Sequence, residues 1–154
     1  MRKAFVAALP LAALLALPAH ALTLNGFRAQ HHLKPLRPSS ALTAYARAHA
    51  YDMARRGSLD HDGFYAHASA VAGSVFAENV LWGCDSESCA IAKWAASPGH
   101  RANMLRGDLD HYGIASVVSG RRRYWVLELS GEGPRPPHLL RASVRQKKTR
   151  HKKK

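Results

Sequence analysis

The sequence predicts an α+β domain in which three or four helices pack around a small antiparallel sheet. Residues 42–53 carry apolar side chains at helical spacing, whereas residues 112–119 and 123–129 alternate as the two strands of a hairpin do. The regular βαβ alternation of a parallel sheet is missing. With 154 residues, 47% of them hydrophobic, the chain suffices for one such domain and not for two.

The first predicted helix is short. It covers residues 24–31, with Leu24 and Phe27 on one face. Pro35 and Pro38 follow it and interrupt regular structure, because proline lacks the backbone N–H that a helix or a strand needs.

The second predicted helix begins at Ser39 or Ser40, whose hydroxyl can cap it, and ends at Gly57. Its apolar residues recur at spacings of 4, 4 and 3: Leu42, Ala46, Ala50 and Met53. Residues 58–74 are rich in Gly, Ser, Asp and His, which is typical of a loop.

An extended segment is predicted over residues 75–82. In a strand, alternation places Glu78 on the same face as Phe76 and Val80, so that its carboxylate lies among apolar side chains. This position costs free energy unless the carboxylate has a partner.

A third helix starts at Ser86, and Ser97 with Pro98 gives a second start signal, a capping hydroxyl followed by proline at the first helical position. His100 then falls in the first turn of that last helix, which we expect to stop at Gly107.

The two C-terminal strands are joined through Gly120. Alternation on the second of them predicts that Glu128 faces solvent. The three tryptophans, Trp82, Trp94 and Trp125, are expected in the core or in the wall of a cleft, since large aromatic side chains mainly supply buried area.

The two ends of the chain predict export. Arg2 and Lys3 precede an apolar run and a small-x-small triplet ending at Ala21, the arrangement of a secretory signal peptide. We therefore divide the chain into a signal peptide over residues 1–21, a domain over 22–133, and a Pro-rich linker with a basic, disordered tail over 134–154. The predicted location is secreted or periplasmic.

The tail carries much of the formal net charge of +13. It is either a solubilising end or an arm that contacts anionic envelope surfaces. Because aromatic residues for base stacking are absent from it, specific nucleic-acid recognition is not expected.

Cys84 and Cys89 are the only cysteines. An even count in an exported chain predicts one disulfide, which stabilises the fold by only about 2 kcal/mol because the loop is so small. A zinc site on these two cysteines is the weaker alternative, since structural zinc sites need four ligands.

Several enzyme classes lack their signatures here. The sequence contains no Gly-x-Ser-x-Gly, His-Glu-x-x-His, P-loop or dinucleotide glycine motif. Among ten histidines, His61 stands out in a loop and His100 at a helix start. With Glu78 they would form a cluster of two imidazoles and one carboxylate, suited to a divalent metal or to water activated by a base.

Four strings resemble the CAP superfamily of cysteine-rich secretory proteins, antigen 5 and pathogenesis-related proteins, in its short bacterial SCP-like branch. They are Ser-Leu-Asp-His at 58–61, Ala-Glu-Asn-Val at 77–80, Trp-Ala-Ala-Ser-Pro-Gly-His-Arg-Ala-Asn-Met-Leu at 94–105 and Tyr-Gly-Ile-Ala at 112–115. The resemblance covers residues 24–131, almost all of the predicted domain.

The resemblance implies a three-layer α-β-α sandwich with His61, Glu78 and His100 in one cleft. Many family members add a second acidic residue, and this position is Ser97 here, so one carboxylate of a four-ligand cation site is missing. Glu87 or Asp62 are the nearby substitutes. The metal ligands expected from this set are His61 and His100, for Zn²⁺ or another divalent cation.

The expected function is that of a monomeric exported protein whose cleft, lined by His61, Glu78, Ser97 and His100, binds a divalent cation or a small ligand such as a lipid. We expect binding rather than catalysis. The alternative is a metal-assisted or acid/base hydrolase of peptides or envelope polymers, with Glu78 as general base. A third possibility is an adaptor that binds through its tail.

Overall fold

The structure, a computed structural model, describes residues 21–64 and 75–132. These residues form four helices and four strands, in the chain order α1 Leu24–Gln30, β1 Arg37–Pro38, α2 Ser40–Arg56, β2 Val75–Trp82, α3 Glu87–Ala96, α4 Pro98–Met104, β3 His111–Ser119 and β4 Arg122–Gly131. The predicted helices and the hairpin are therefore present. The predicted signal peptide and basic tail lie outside the described residues.

The strands form one sheet in the order β1-β3-β4-β2. Strands β2 and β3 both pair antiparallel with β4, whereas β1 pairs parallel with β3. The sheet is thus mixed, and the prediction of an antiparallel sheet was wrong at this edge. Pro38 tolerates this position because an edge strand can do without one N–H, and Arg37 and Ser39 supply the donors on either side, to Asp110 and Tyr112.

Helix α2 covers one face of the sheet. Ser39 caps it by accepting a hydrogen bond from the Leu42 backbone N–H, and Gly57 ends it in the left-handed conformation at φ +67°. Two of its alanines, Ala46 and Ala50, are fully buried against β3 and β4, and their small size lets the helix lie close to the sheet.

The opposite face is covered by the other helices. Leu24 of α1, Trp94 of α3 and Met104 of α4 join one hydrophobic cluster with Trp125 and Leu127 of β4. A second cluster joins α2 to side chains on the other face of the sheet, which are Val80 of β2, Ala115 of β3, and Tyr124 and Val126 of β4. Two cores on the two faces of one sheet make the expected three-layer α-β-α sandwich.

Three local expectations need correction. Trp94 and Trp125 are buried, but Trp82 is 43% exposed because it is the last residue of an edge strand. The Ser97 hydroxyl makes no capping hydrogen bond, although its backbone is the N-cap of α4 and Pro98 follows it. Helix α4 ends at Met104, earlier than Gly107.

The predicted disulfide is present. Cys84 and Cys89 are bonded, five positions apart, and tie the end of β2 to the first turns of α3. The backbone oxygen of Cys84 also accepts a hydrogen bond from the indole of Trp125 at 2.8 Å, so this corner is fixed to the sheet. None of the helices within residues 21–64 and 75–132 is long and apolar enough to cross a membrane.

Candidate functional site

Glu78 lies at the centre of a buried polar cluster. It sits on β2, on the face covered by α2, and is only 5% exposed. One carboxylate oxygen accepts a hydrogen bond from His49 Nδ1 at 2.6 Å and the other accepts one from His61 Nδ1 at 2.7 Å. Because an ionised carboxylate can only accept, both imidazoles must present their Nδ1–H to it.

His49 is one of two cluster members that were not predicted from the sequence. It lies on α2, beside the buried Ala46, Ala50 and Met53, at positions 46, 49, 50 and 53 of one helical face. That spacing was the available signal, because a histidine on the apolar stripe of an amphipathic helix must be buried with a partner. Its Nε2 atom is buried, has no hydrogen-bond partner among residues 21–64 and 75–132, and lies 3.7 Å from Asp60 Oδ1.

The prediction that Glu128 faces solvent was wrong. The residue is 4% exposed, and it pairs in register with Glu78 across β2 and β4. Alternation failed here because β4 is a central strand with both faces covered, so no face of it is solvated. Its other register partner, Gly113 on β3, has no side chain that could separate the carboxyl group from α2.

The two carboxyl groups hold different charges. Burial and the negative charge of Glu78 raise the pKa of Glu128 to about 9, so Glu128 keeps its proton at neutral pH. Burial acts to raise the pKa of Glu78 as well, but hydrogen bonds from His49, His61 and Glu128 outweigh it and the pKa is lowered. A protonated Glu128 can donate its O–H to an ionised Glu78, and this interaction lowers the pKa of Glu78 and raises that of Glu128.

His49 is the partner of Glu78 that gains a proton most readily. Burial acts to lower the pKa of His49, but the hydrogen bond to Glu78 and the attraction of Asp60 outweigh it, and the pKa is raised. The cluster thus favours an ionised Glu78 beside a neutral Glu128, and the raised pKa of His49 favours the protonated imidazole that can balance this charge. Buried charges in proteins are normally paired in this way.

The loop after α2 positions His61. Arg56, the last residue of α2, binds both carboxylate oxygens of Asp60 at 2.9 and 3.0 Å, and Ser58 donates to the same carboxylate at 2.7 Å. The Arg56 guanidinium lowers the pKa of Asp60 below its ordinary value. These contacts hold the turn from which His61 reaches Glu78, and the His61 side chain is 56% exposed.

His100 is fixed next to the cluster by its backbone. Asn79 donates to the His100 backbone oxygen at 3.0 Å, and Asn103 donates to the Asn79 side chain and to the Glu78 backbone oxygen. These bonds join α4 to β2. Burial, and then the proximity of His61, lower the pKa of His100. Within the described residues its ring makes no hydrogen bond to Glu78.

The remaining predicted residues, Ser97, Glu87 and Asp62, lie at different places relative to the cluster. Ser97 is half-buried in the junction between α3 and α4. Glu87 is the exposed first residue of α3. Asp62 follows His61 directly and lines a pocket of about 300 Å³ together with Ala48, His49, Asp52 and Gly63. Of the two proposed substitutes for the missing acid, Asp62 is therefore the one beside the cluster.

The donor set suits a metal such as Zn²⁺ in chemical type, since imidazole and carboxylate are its common ligands. One ligand atom from each of His49, Glu78 and Glu128 lies within 4.8 Å of the others. In the described part of the chain, the buried Nε2 of His49 and one buried carboxyl oxygen of Glu128 have no hydrogen-bond partner. Both orphaned atoms could serve as ligands, although Glu128 and His49 would first have to lose protons.

Residues 23–129 match the sequence profile of the cysteine-rich secretory protein family, CAP. One relative is the uncharacterized protein YkwD of Bacillus subtilis, which is 29% identical over 121 residues. The match covers 70% of this chain and 44% of YkwD, so the chain spans less than half the length of that relative.

Three solved structures share the fold. An extracellular SCP-domain protein of Bacillus anthracis has a TM-score of 0.63 at 21% identity, over 70% of this chain and 37% of its own. A cysteine-rich secretory protein of Staphylococcus aureus has a TM-score of 0.56 at 22% identity, over 68% and 35% of the two chains. An outer surface protein of Borrelia burgdorferi reaches 0.63 at 16% identity, over 71% and 86%.

Proposed function

Because this chain belongs to the CAP family of cysteine-rich secretory proteins, we propose that it is an exported binding protein whose His/Glu cleft takes up a divalent cation, with Zn²⁺ as the first candidate. The predicted signal peptide supports export, as do relatives described as extracellular or as outer surface proteins.

The observation that carries the proposal is the double hydrogen bond at Glu78. A carboxylate that accepts from Nδ1 of a histidine fixes the ring and leaves Nε2 as the coordinating atom, which is the usual outer-sphere arrangement around metal-binding histidines. Glu78 does this for both His49 and His61. Glu78 is then a positioning residue rather than a ligand.

His61 and His100 are the proposed ligands. The His61 side chain is the exposed member of the cluster, and His100 lies close enough for His61 to affect its pKa. The lowered pKa of His100 favours the neutral imidazole, the form that binds a metal. A bound cation would supply Lewis acidity or an anchor for an anionic ligand at the mouth of the cleft.

The test is calorimetric titration of the purified protein with Zn²⁺. We expect binding that is abolished in His61→Ala/His100→Ala and weakened by about 10–100-fold in Glu78→Gln, since removing an orienting partner has that effect at metal sites. His32→Asn is the matched control, because it removes an exposed imidazole at φ +57°, a conformation that asparagine tolerates. Unchanged heats in the double variant would refute the proposed ligands.

The same titration distinguishes a cation held by His61 and His100 from one held by the buried group of His49, Glu78 and Glu128. If the buried group holds the cation, the double variant keeps its heats and Glu128→Gln loses them. If His61 and His100 hold it, Glu128→Gln binds Zn²⁺ like the unmodified protein.

A hydrolase acting on peptides or envelope polymers is the second candidate. The specific observation in its favour is a pair of adjacent carboxyl groups with opposite pKa shifts, which is a feature of acid/base sites. Both oxygens of Glu78 are occupied, however, and the residue is buried, so His61 is better placed than Glu78 to meet a substrate. Turnover of a peptide or glycan library that disappears in His61→Gln, with folding intact, would support this candidate.

A further inference from the structure

Two large apolar side chains are exposed at the end of the sheet where β3 and β4 are joined, one on β2 and one on β3. Trp82 is 43% exposed and Val118 is 53% exposed. Trp82 pairs in register with Tyr124 near the start of β4, and Val118 pairs with Arg123 one position closer to the turn. Both side chains therefore flank the turn at Gly120.

Two arginines stand on the same turn. Arg121 and Arg122 are exposed, and within the described residues neither forms an ion pair with an acid. The Arg122 guanidinium lies 4.1 Å from the centre of the Trp82 ring, a cation–π distance. Arg123 differs from them, because it is half-buried and donates to Ser116 at 3.2 Å.

We propose that this hairpin patch, formed by Trp82, Val118, Arg121 and Arg122, docks onto an anionic phospholipid surface. Arginine is attracted to anionic headgroups, and tryptophan is enriched at the membrane–water interface because its ring is apolar with one polar edge. The patch combines the two side-chain types at one exposed end of the sheet, which matches the charge and polarity of such a surface.

The geometry favours a lipid layer over a rigid partner. Residues that pair directly share a face of the sheet, so Trp82 and Tyr124 lie on one face and Val118 with Arg123 on the other. A flat macromolecule would contact one face of the turn only. A headgroup layer can surround the tip and contact the apolar groups on both faces at once.

This docking does not depend on cation binding in the cleft. Trp82 is four residues beyond Glu78 on β2, which is roughly 13 Å along a strand. Failure of either proposal therefore leaves the other unaffected.

The experiment measures binding of the full-length purified protein to vesicles of phosphatidylglycerol and phosphatidylcholine, against phosphatidylcholine alone, at low salt. We expect binding to the anionic vesicles and a blue shift of tryptophan fluorescence. Because Trp94 and Trp125 are buried, this shift reports Trp82. Arg121→Glu/Arg122→Glu should lower the partition coefficient by more than about tenfold.

The matched control is Arg37→Glu/Arg47→Glu. It changes the net charge equally, but Arg37 pairs at the far end of β3 and Arg47 is exposed on α2. An equal loss in both variants would assign binding to net charge or to the basic tail and overturn the proposal. So would anionic-vesicle binding without a blue shift, or equally strong binding to a soluble anionic polysaccharide. Circular dichroism confirms that each variant is folded.

Discussion

At the scale of the residue, one proton sets the net charge of the two buried carboxyl groups. Glu128 carries it at neutral pH, and so the pair of carboxyl groups bears one negative charge rather than two. Two ionised carboxylates in this position would repel each other in a medium of low polarity. The hydrogen bonds from His49 and His61 then act on a single anion.

Glu128→Gln should be tolerated at neutral pH, with a loss of about 1 kcal/mol or less, because an amide N–H can donate to Glu78 as the carboxylic acid does. Glu128→Ala removes the donor and leaves a cavity, and we expect a loss of about 2–4 kcal/mol. Urea unfolding of both variants measures the difference. Equal losses would show that Glu128 is not a hydrogen-bond donor to Glu78.

Part of this cluster is predictable from the sequence. His61 and Glu78 were identified from their places in a loop and on an apolar strand face, and the structure joins them. His49 and Glu128 were missed for different reasons. His49 lies on the apolar face of α2, which the spacing of Ala46, Ala50 and Met53 already indicates. Glu128 lies on a central strand that is covered on both faces. Burial of a central strand depends on which strands lie beside it, and local alternation carries no information about this order.

At the scale of the element, the contact between α2 and β3 sets the position of His49. Gly113 makes that contact possible, because a Cβ atom there would lie 2.2 Å from the Thr43 backbone nitrogen and 2.3 Å from the Leu42 carbonyl carbon. The helix and most strand boundaries were predictable from caps, glycines and periodicity. The two-residue β1 was not, since its pairing with β3 is formed by chain segments more than seventy positions apart.

Gly113→Ala should therefore move the first turn of α2 away from the sheet, with a loss of about 1–3 kcal/mol. Gly99→Ala is the matched control. It lies in α4 with open space around it, and alanine is the better helix former there. Thermal unfolding of both variants measures the difference. If Gly113→Ala were as stable as Gly99→Ala, the close contact between α2 and β3 at Gly113 would be contradicted.

At the scale of the whole molecule, stability should be highest in mildly acidic solution. Glu78 and the ion-paired Asp60 have lowered pKa values, so their contribution is present above about pH 4.3 and lost as the pH falls below it. Glu128 and His49 have raised pKa values, so their contributions are lost as the pH rises, for Glu128 progressively between about 4.3 and about 9. The half-buried His100, whose pKa is lowered, opposes this trend only below about pH 6.5.

We expect the melting temperature, measured in the presence of a chelator, to fall between about pH 6.5 and 9, because the free energy of unfolding falls by at most about 1.4 kcal/mol per pH unit for each proton involved. Glu128→Gln should flatten the decline, because its side chain does not titrate. A melting temperature that rises with pH over this range would contradict the assignment of the proton to Glu128.

The order of the strands also constrains how the chain can be assembled. Of the strands that the structure describes, β4 comes last in the sequence, and it lies between β3 and β2. Before β4 has been synthesised, β2 has no neighbour, and β3 has only the two residues of β1 to pair with. The sheet closes from its middle, so a nascent or arrested chain displays two unpaired hydrogen-bonding edges, which are sites of intermolecular association.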